Sequence, residues 1–417
     1  MNLFYIYLFK VYFFLILLGP ITYISDIPVT LYHIPFLLLL VLMGAKVLIN
    51  TKRIYIPFYI KIYVFTMLFF MVLYTVKLFT PSYLPSFRDF IIIFSSLQSV
   101  LLVILIFDVF KYKNLSLGLL KSNLFIMPIM GMIAIFQILN LFNVPDILLN
   151  FYSNITADSR MEYLQINPRS TATFNLEPNT FGLYMSFSLL MFHMFYKELK
   201  INMFLSSILY IFGLLGLLLS GSITAFVIYI FTTLIYFFLY KKIGIKFILG
   251  ASFLIIILAS TFTEEIERTV KRQKLTSDNF IPSSLMYRIN ERWLMVYDDF
   301  EEHYIIGIGP AADELTYATD NEYLDRFLRY GLLGGMVFLI FIILLIIYPL
   351  IQRKKTNDRF IRKLFLFSSL LAITFALASM TGTAFKAKRV SELFWIFYSL
   401  PFINTYLSNY RLNNDKH

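Results

Sequence analysis

The sequence contains no cysteine, and its only histidines are His33, His193, His303 and His417. The absence of cysteine excludes disulfides, thiol nucleophiles and cysteine-ligated metal sites. Because no two histidines have the spacing of a ligand pair, we expect no metal site. No other cofactor is expected either. Nucleotide-binding lysine loops and dinucleotide glycine motifs are also missing, which argues against a nucleotide-driven motor. Charge is scarce: 15% of the residues are charged, against about 25% in a typical soluble domain.

Apolar residues make up 59% of the chain, and runs of about 20 of them, the length that crosses a bilayer, recur throughout. The sequence therefore predicts an all-α, polytopic integral membrane protein that forms a single membrane domain over residues 1–417. We expect about twelve transmembrane helices. The predicted spans run from Leu3–Leu18, Val29–Ile49, Ile56–Val76, Phe90–Phe110, Leu119–Leu141 and Phe181–Tyr196 to Met203–Leu219, Ile223–Tyr240, Ile243–Phe262, Leu332–Ile351, Leu364–Thr383 and Leu393–Leu407. Met1–Leu18 lacks the basic start and the small-residue cleavage site of a signal peptide, so it is predicted to be the first span.

The formal net charge of +11 is better explained by basic cytoplasmic loops than by nucleic acid, which we do not expect as a partner. Basic residues concentrate in alternate connections, such as those at 52–53, 197–200 and 353–355. Both termini are therefore predicted to be cytoplasmic, and two larger segments, 143–180 and 263–330, extracytoplasmic. Lys386, Lys388 and Arg389 depart from this rule because they lie on the predicted outer side. Either a span is miscounted, or these cations bind an anion such as a lipid diphosphate.

The long outer loop, between the predicted ninth and tenth spans, concentrates the acids. Residues 264–329 hold 14 of the 25 Asp and Glu residues of the chain. A membrane protein that keeps most of its carboxylates in one outer loop is expected to carry out its chemistry there. Residues 283–302 fit one amphipathic helix with Arg288 and Arg292 four residues apart. Two cations on one helix face are suited to a diphosphate, or alternatively to the phosphates of membrane lipid.

A glycine turn at Gly307–Gly309 is followed by a second helix, which Asp320 and Asn321 are expected to open. The shorter outer segment carries Arg169 and ends in Glu177-Pro178-Asn179-Thr180, a turn into a helix that Asn179 or Thr180 is predicted to cap. The functional interpretation is an arginine that binds phosphate and a carboxylate that acts as a base. The alternative is an ordinary capped helix with a solvated charge pair.

Taken in order, these patterns resemble the O-antigen and capsule polymerase family of the Wzy type, within the O-antigen ligase-like superfamily. Three motifs carry the resemblance: Arg169 through Glu177 to Gly182, Arg288 with Trp293 and the glycine turn, and the run from Asp320 to Gly334. The resemblance implies a metal-independent, membrane-embedded glycosyltransferase of the bacterial inner membrane. Such an enzyme joins oligosaccharide repeat units, carried as donor and acceptor on undecaprenyl diphosphate, into O-antigen, capsule or exopolysaccharide.

The resemblance also implies site residues and partners. Arg169 and Arg288 occupy positions of diphosphate-binding arginines, and we add Arg292 and Arg389 as further candidates. Glu177 and Asp320 are the candidate catalytic bases, and Asn179 and Asn321 the candidate substrate-binding amides. A chain-length regulator and a flippase are implied as partners.

Two other membrane functions compete with a polymerase. Superfamily ligases carry a histidine at the start of the second loop helix, where this chain has Asp320-Asn321, and this departure favours a polymerase over an O-antigen ligase. A lipid-linked oligosaccharide flippase or transporter is the alternative from another class, although transporters place ionisable groups near the bilayer midplane. A purely structural membrane protein is the third alternative.

Overall fold

The computed structural model describes most of the membrane-predicted part of the chain. The described residues are 2–24, 27–50, 58–79, 87–110, 114–152, 169–174, 177–240, 286–294, 296, 300–301, 303–310, 319–387 and 389–414. Within them the protein is helical, apart from one antiparallel hairpin of β1 (Ile21–Ile24) and β2 (Ile27–Thr30), in which Ile21 pairs with Thr30.

The helices follow the apolar runs of the sequence. They are α1 (Asn2–Leu18), α2 (His33–Asn50), α3 (Phe58–Leu78), α4 (Phe87–Phe110), α5 (Ser116–Ile138), α6 (Val144–Tyr152), α7 (Pro178–Phe195), α8 (Met203–Leu219), α9 (Ile223–Tyr240), α10 (Glu322–Lys355), α11 (Arg359–Ala378) and α12 (Val390–Asn414). A single 3₁₀ turn, Leu141–Asn143, precedes α6, and a π-helical turn, Arg288–Trp293, lies between α9 and α10.

Four of these helices, α3, α5, α10 and α11, are long and apolar enough to cross a membrane. Several others expose large apolar side chains: Leu48 is 84% exposed and Phe238 is 78% exposed. Water would disfavour such surfaces, whereas lipid tails solvate them. The protein is therefore a helical membrane protein.

Most predicted spans correspond to a helix. Met203–Leu219 and Ile223–Tyr240 coincide with α8 and α9. The prediction for the second span was wrong at its start, because β2 extends to Thr30 and α2 begins only at His33. The predicted ninth span, Ile243–Phe262, lies outside the described residues, so the count of twelve stays a prediction.

The two ends of the bundle are held by different contacts. At one end, here called the loop end, the close of α8 meets residue 170, where the Ser170 amide donates to the Leu219 carbonyl at 2.8 Å. The start of α9 meets the α11–α12 loop there, where Thr381 Oγ1 donates to Thr224 Oγ1 at 3.2 Å. At the opposite end, Lys363 pairs with Glu198 at 2.5 Å. The loop end thus gathers the starts of α7, α9, α10 and α12.

Helix α10 contains two elements that the sequence analysis predicts as separate helices. The predicted loop helix and the predicted tenth span form one helix with a kink at Gly331, where φ is +66°. At this kink the Leu332 amide donates to the Tyr304 carbonyl at 2.7 Å, outside the helix. The Ile308 and Gly309 amides donate to the Leu328 and Arg329 carbonyls at 2.9 and 3.0 Å. The glycine turn is therefore a backbone clamp on α10.

Candidate functional site

Arg169 lies across the turn between α8 and α9. Its Nε donates to the Ser220 carbonyl at 2.9 Å, and its Nη2 donates to Asn179 Oδ1 at 2.7 Å. Gly221 lies beneath it with φ +57°, and a Cβ added there would come within 3.1 Å of Arg169 Cγ. The turn therefore needs glycine both for its backbone and for the arginine stacked on it. Arg169 and Asn179, two predicted site residues, are thus in direct contact.

The cap of α7 differs from the prediction. Glu177, rather than Asn179 or Thr180, is the N-cap residue, and Pro178 follows it at the first helical position. Proline is favoured there because its missing amide would have had no partner in the helix. Thr180 Oγ1 donates to Glu177 Oε2 at 2.8 Å. Glu177 is exposed, so its carboxylate stands at the loop end, open to a ligand.

Arg288, Arg292 and Asp320, here called the first cluster, form a second group at the loop end. Asp320 Oδ2 lies 2.9 Å from Arg292 Nη1 and 3.6 Å from Arg288 Nε. Two guanidiniums therefore share one carboxylate oxygen, which leaves one positive charge in excess. The side chains are 18%, 29% and 36% exposed in the order Arg288, Arg292, Asp320, so a ligand can reach them.

The backbone around Asp320 is unusual for a non-glycine residue. Asp320 has φ +47°, and Asn321 then caps α10 by accepting from the Tyr323 and Leu324 amides at 3.0 and 3.2 Å. The Trp293 indole donates to the Thr319 carbonyl at 3.0 Å, which ties the π-helical turn to this start. Such strained backbone is often found at functional sites. The expected capping at Asn321 is confirmed; its predicted role in substrate binding stays a prediction.

Glu322 is fully buried at the start of α10 and fastens the α11–α12 loop to that helix. Its carboxylate accepts from Arg326 Nη2 at 2.9 Å, from the Phe385 amide at 2.9 Å and from Ser379 Oγ at 3.2 Å. Its own amide donates to the Ser379 and Gly382 carbonyls. Residue 322 therefore fixes the loop from both its backbone and its side chain.

Asp325, Arg329 and Lys386, here called the second cluster, lie one turn further along α10. Arg329 Nε donates to Asp325 Oδ1 at 2.8 Å, and Lys386 pairs with the other oxygen of the carboxylate. Burial lowers the pKa of the Lys386 ammonium, and the Asp325 carboxylate opposes that shift. Again one carboxylate serves two cations.

Arg389 is placed apart from these groups. It is fully buried, and its guanidinium donates to the Gly19 carbonyl at 2.5 Å and to the Ile16 carbonyl at 3.4 Å. Burial lowers the pKa of Arg389, but an arginine starts from so high a value that it stays charged. Its contacts fit a side chain that binds the free carbonyls at the end of α1.

A continuous set of contacts connects Arg169 to Asp320. Arg169 lies on the Ser220–Gly221 turn that opens α9, Thr224 of α9 bonds to Thr381, and the neighbouring Gly382 carbonyl accepts from Glu322. Glu322 directly follows Asn321 and Asp320. The structure therefore brings Arg169, Asn179 and Glu177 to the same end of the bundle as Arg288, Arg292, Asp320 and Asn321.

Part of the chain resembles a known family. Residues 208–339 match the O-antigen ligase family model (Wzy_C). The match covers most of α8, all of α9 and the first half of α10, with Gly221, the first cluster, Asp325 and Arg329 inside it. No curated protein matches the chain. The match supports an O-antigen ligase- or polymerase-like function in polysaccharide assembly, on lipid-linked substrates.

Several residues of the loop end were not singled out from the sequence. Glu322 with Arg326, and Asp325 with Arg329, have the i,i+4 spacing of helical ion pairs, and this signal could have found them. The pairing of Lys386 with Asp325 spans 61 residues and leaves no local sequence signal. The roles of Ser220 and Gly221 under Arg169 are equally non-local.

Proposed function

We propose that the protein is a polymerase that transfers a glycan from one undecaprenyl-diphosphate-linked oligosaccharide to another on the extracytoplasmic face of the bacterial inner membrane. The observation that carries the proposal is the first cluster, two arginines on one carboxylate, at the same end of the bundle as Arg169. The match of residues 208–339 to the O-antigen ligase family supports the reaction class.

In this reaction the main requirement is to stabilise the negative charge of the leaving diphosphate, rather than to supply a strong nucleophile. As the bond from the sugar to the lipid diphosphate breaks, charge grows on the departing diphosphate. Arginines fixed in advance stabilise that charge without a metal ion. Arg288 and Arg292 are held in place by Asp320, and Arg169 by Ser220 and Asn179. These three arginines are the proposed diphosphate ligands.

The acceptor hydroxyl must lose a proton to a base. Asp320 Oδ2 already accepts from the arginine pair, so in this proposal its task is to orient them. Glu177 is exposed and accepts one described hydrogen bond, from Thr180. We therefore assign the base to Glu177 and the positioning of the arginines to Asp320. Direct attack of the hydroxyl would invert the anomeric centre.

The second candidate is an O-antigen ligase, which the matched family's own description favours. Deleting the gene in its native host, and then restoring it, separates the candidates. The readout is the glycan ladder, the series of chain lengths made by the cell. If the deletion removes the ladder and leaves single repeat units on the lipid anchor, the protein is a polymerase. Polymer accumulating on the lipid diphosphate identifies a ligase. Repeat units held on the cytoplasmic face would identify a flippase and overturn the proposal.

Substitution of the arginines tests the site itself. Arg169→Ala and Arg288→Ala should each abolish long glycan chains, since a charge-assisted contact contributes about 1.5 to 3 kcal/mol. Both variants should stay in the membrane at normal abundance. Arg359→Ala is the matched control, because Arg359 is an exposed arginine at the start of α11, at the opposite end of the bundle. Normal ladders from both arginine variants would refute the assignment.

A further inference from the structure

Like the first cluster, the second cluster consists of two cationic side chains that share one carboxylate. Asp325 is shared by Arg329 and Lys386 as Asp320 is shared by Arg288 and Arg292. The shared carboxylates lie five residues apart at the start of α10. Each cluster therefore has one positive charge more than its carboxylate neutralises, and each is suited to an anion.

The second cluster also has a donor without an acceptor. Arg329 Nη1 is buried and has no hydrogen-bond partner among the described residues. A buried guanidinium nitrogen left unpaired is unfavourable, so the position favours a further acceptor, which a bound anion can supply. Lys386, with its side chain 32% exposed, is the member of the cluster that a ligand can reach from the loop end.

An apolar groove runs below the second cluster, between α3 and α10. It is an open groove of about 490 Å³, lined by Phe65 and Thr66 of α3 and by Val337, Ile340 and Leu344 of α10, with Lys61 of α3 as its one charged lining residue. Higher on the same seam, Tyr74 of α3 stacks on Tyr330 of α10 with ring centroids 4.4 Å apart. Val337 follows Arg329 by eight residues on α10. Arg329 and one wall of the groove therefore lie on the same helix, α10.

We propose that the second cluster is a second lipid-diphosphate site. Arg329 and Lys386 bind the diphosphate of one lipid-linked saccharide, and its isoprenoid tail enters the groove between α3 and α10. A single seam between two helices fits one isoprenoid chain better than the paired acyl chains of a phospholipid. This inference rests on the proposed function, because a polymerase must hold two lipid-linked saccharides at once, one on each cluster.

Counting bound lipid tests the inference. The purified full chain is titrated with undecaprenyl diphosphate and examined by native mass spectrometry, with undecaprenol and phosphatidylglycerol as comparison lipids. We expect two equivalents of undecaprenyl diphosphate and weaker binding of both comparison lipids. The Arg288→Gln/Arg292→Gln variant should lose one equivalent.

Two variants address the second site separately. Lys386→Gln should weaken one equivalent about tenfold or more, while Arg329 still pairs with Asp325 and preserves the fold. Val337→Trp fills the groove without altering the cluster. It should lower the affinity for the same equivalent of undecaprenyl diphosphate. Ile343→Trp, an exposed position on another face of α10, is the matched control.

The outcomes separate this inference from the proposed function. One equivalent in the unaltered protein, lost only in the Arg288→Gln/Arg292→Gln variant, would overturn the second site and leave the proposed function standing. No bound equivalent would overturn both. Equal binding of phosphatidylglycerol, insensitive to Lys386→Gln, would show an ordinary membrane-lipid site and would also overturn the inference.

Discussion

Removal of the Glu322 carboxylate should destabilise the protein more than any single change on its surface. Glu322→Ala deprives the buried Arg326 of its charge partner and the Phe385 amide of its acceptor. Breaking a buried ion pair by deleting one partner costs about 3 to 5 kcal/mol. With an unfolding entropy of roughly 2.1 cal/mol/K per residue, a chain of 417 residues should melt about 3 to 6 °C lower.

The measurement is the melting temperature of the purified protein in one detergent. Asp358→Ala is the matched control, since Asp358 also accepts two amides, those of Phe360 and Ile361, but is exposed at the N-cap of α11. We expect that control to lose about 1 kcal/mol. The double variant Glu322→Leu/Arg326→Leu should recover part of the loss, because no charge is left unpaired. If the double variant is no more stable than Glu322→Ala, the reasoning about the unpaired guanidinium is wrong.

Two further substitutions test the loop end. Gly221→Ala should strain the turn by about 1 to 2 kcal/mol and displace Arg169, so glycan synthesis should fall further than protein abundance; Gly118→Ala, where an added Cβ meets nothing within 4 Å, should leave both unchanged. Arg389→Met should lower abundance and melting temperature, because the Ile16 and Gly19 carbonyls lose their donor. A stable Arg389→Met protein without polymerising activity, read from the glycan ladder, would instead support the diphosphate role predicted from the sequence.

The helices could be predicted because their signal is local. A continuous apolar run of about 20 residues specifies a membrane helix almost irrespective of its neighbours, and α8 and α9 coincide with their predicted spans. The kink at Gly331 could not be predicted, since it depends on amides at 308 and 309 that take over two carbonyls of α10. The start of α2 was misjudged because Val29 and Thr30 are apolar or β-branched enough to extend the predicted span.

The sequence indicated which residue types form the candidate site, but not which of these residues pair with one another. Arginines and carboxylates in the outer segments indicated an anion-binding surface, but nothing local connects Arg292 with Asp320, 28 residues away. The same limit explains Arg389. Its position near Lys386 in the sequence suggested a ligand-binding cation. Its contacts are instead the Ile16 and Gly19 carbonyls, which lie 373 and 370 positions earlier in the chain.

The backbone clamp formed by the glycine turn joins residues 307–309 to α10. Because the Ile308 and Gly309 amides complete the hydrogen bonding of α10, residues 307–309 belong mechanically to the membrane helix rather than to the loop. Moving residues 304–309 away from α10 would break three backbone hydrogen bonds at its kink, those donated by Ile308, Gly309 and Leu332. A force applied to residues 307–309 is therefore transmitted directly to α10.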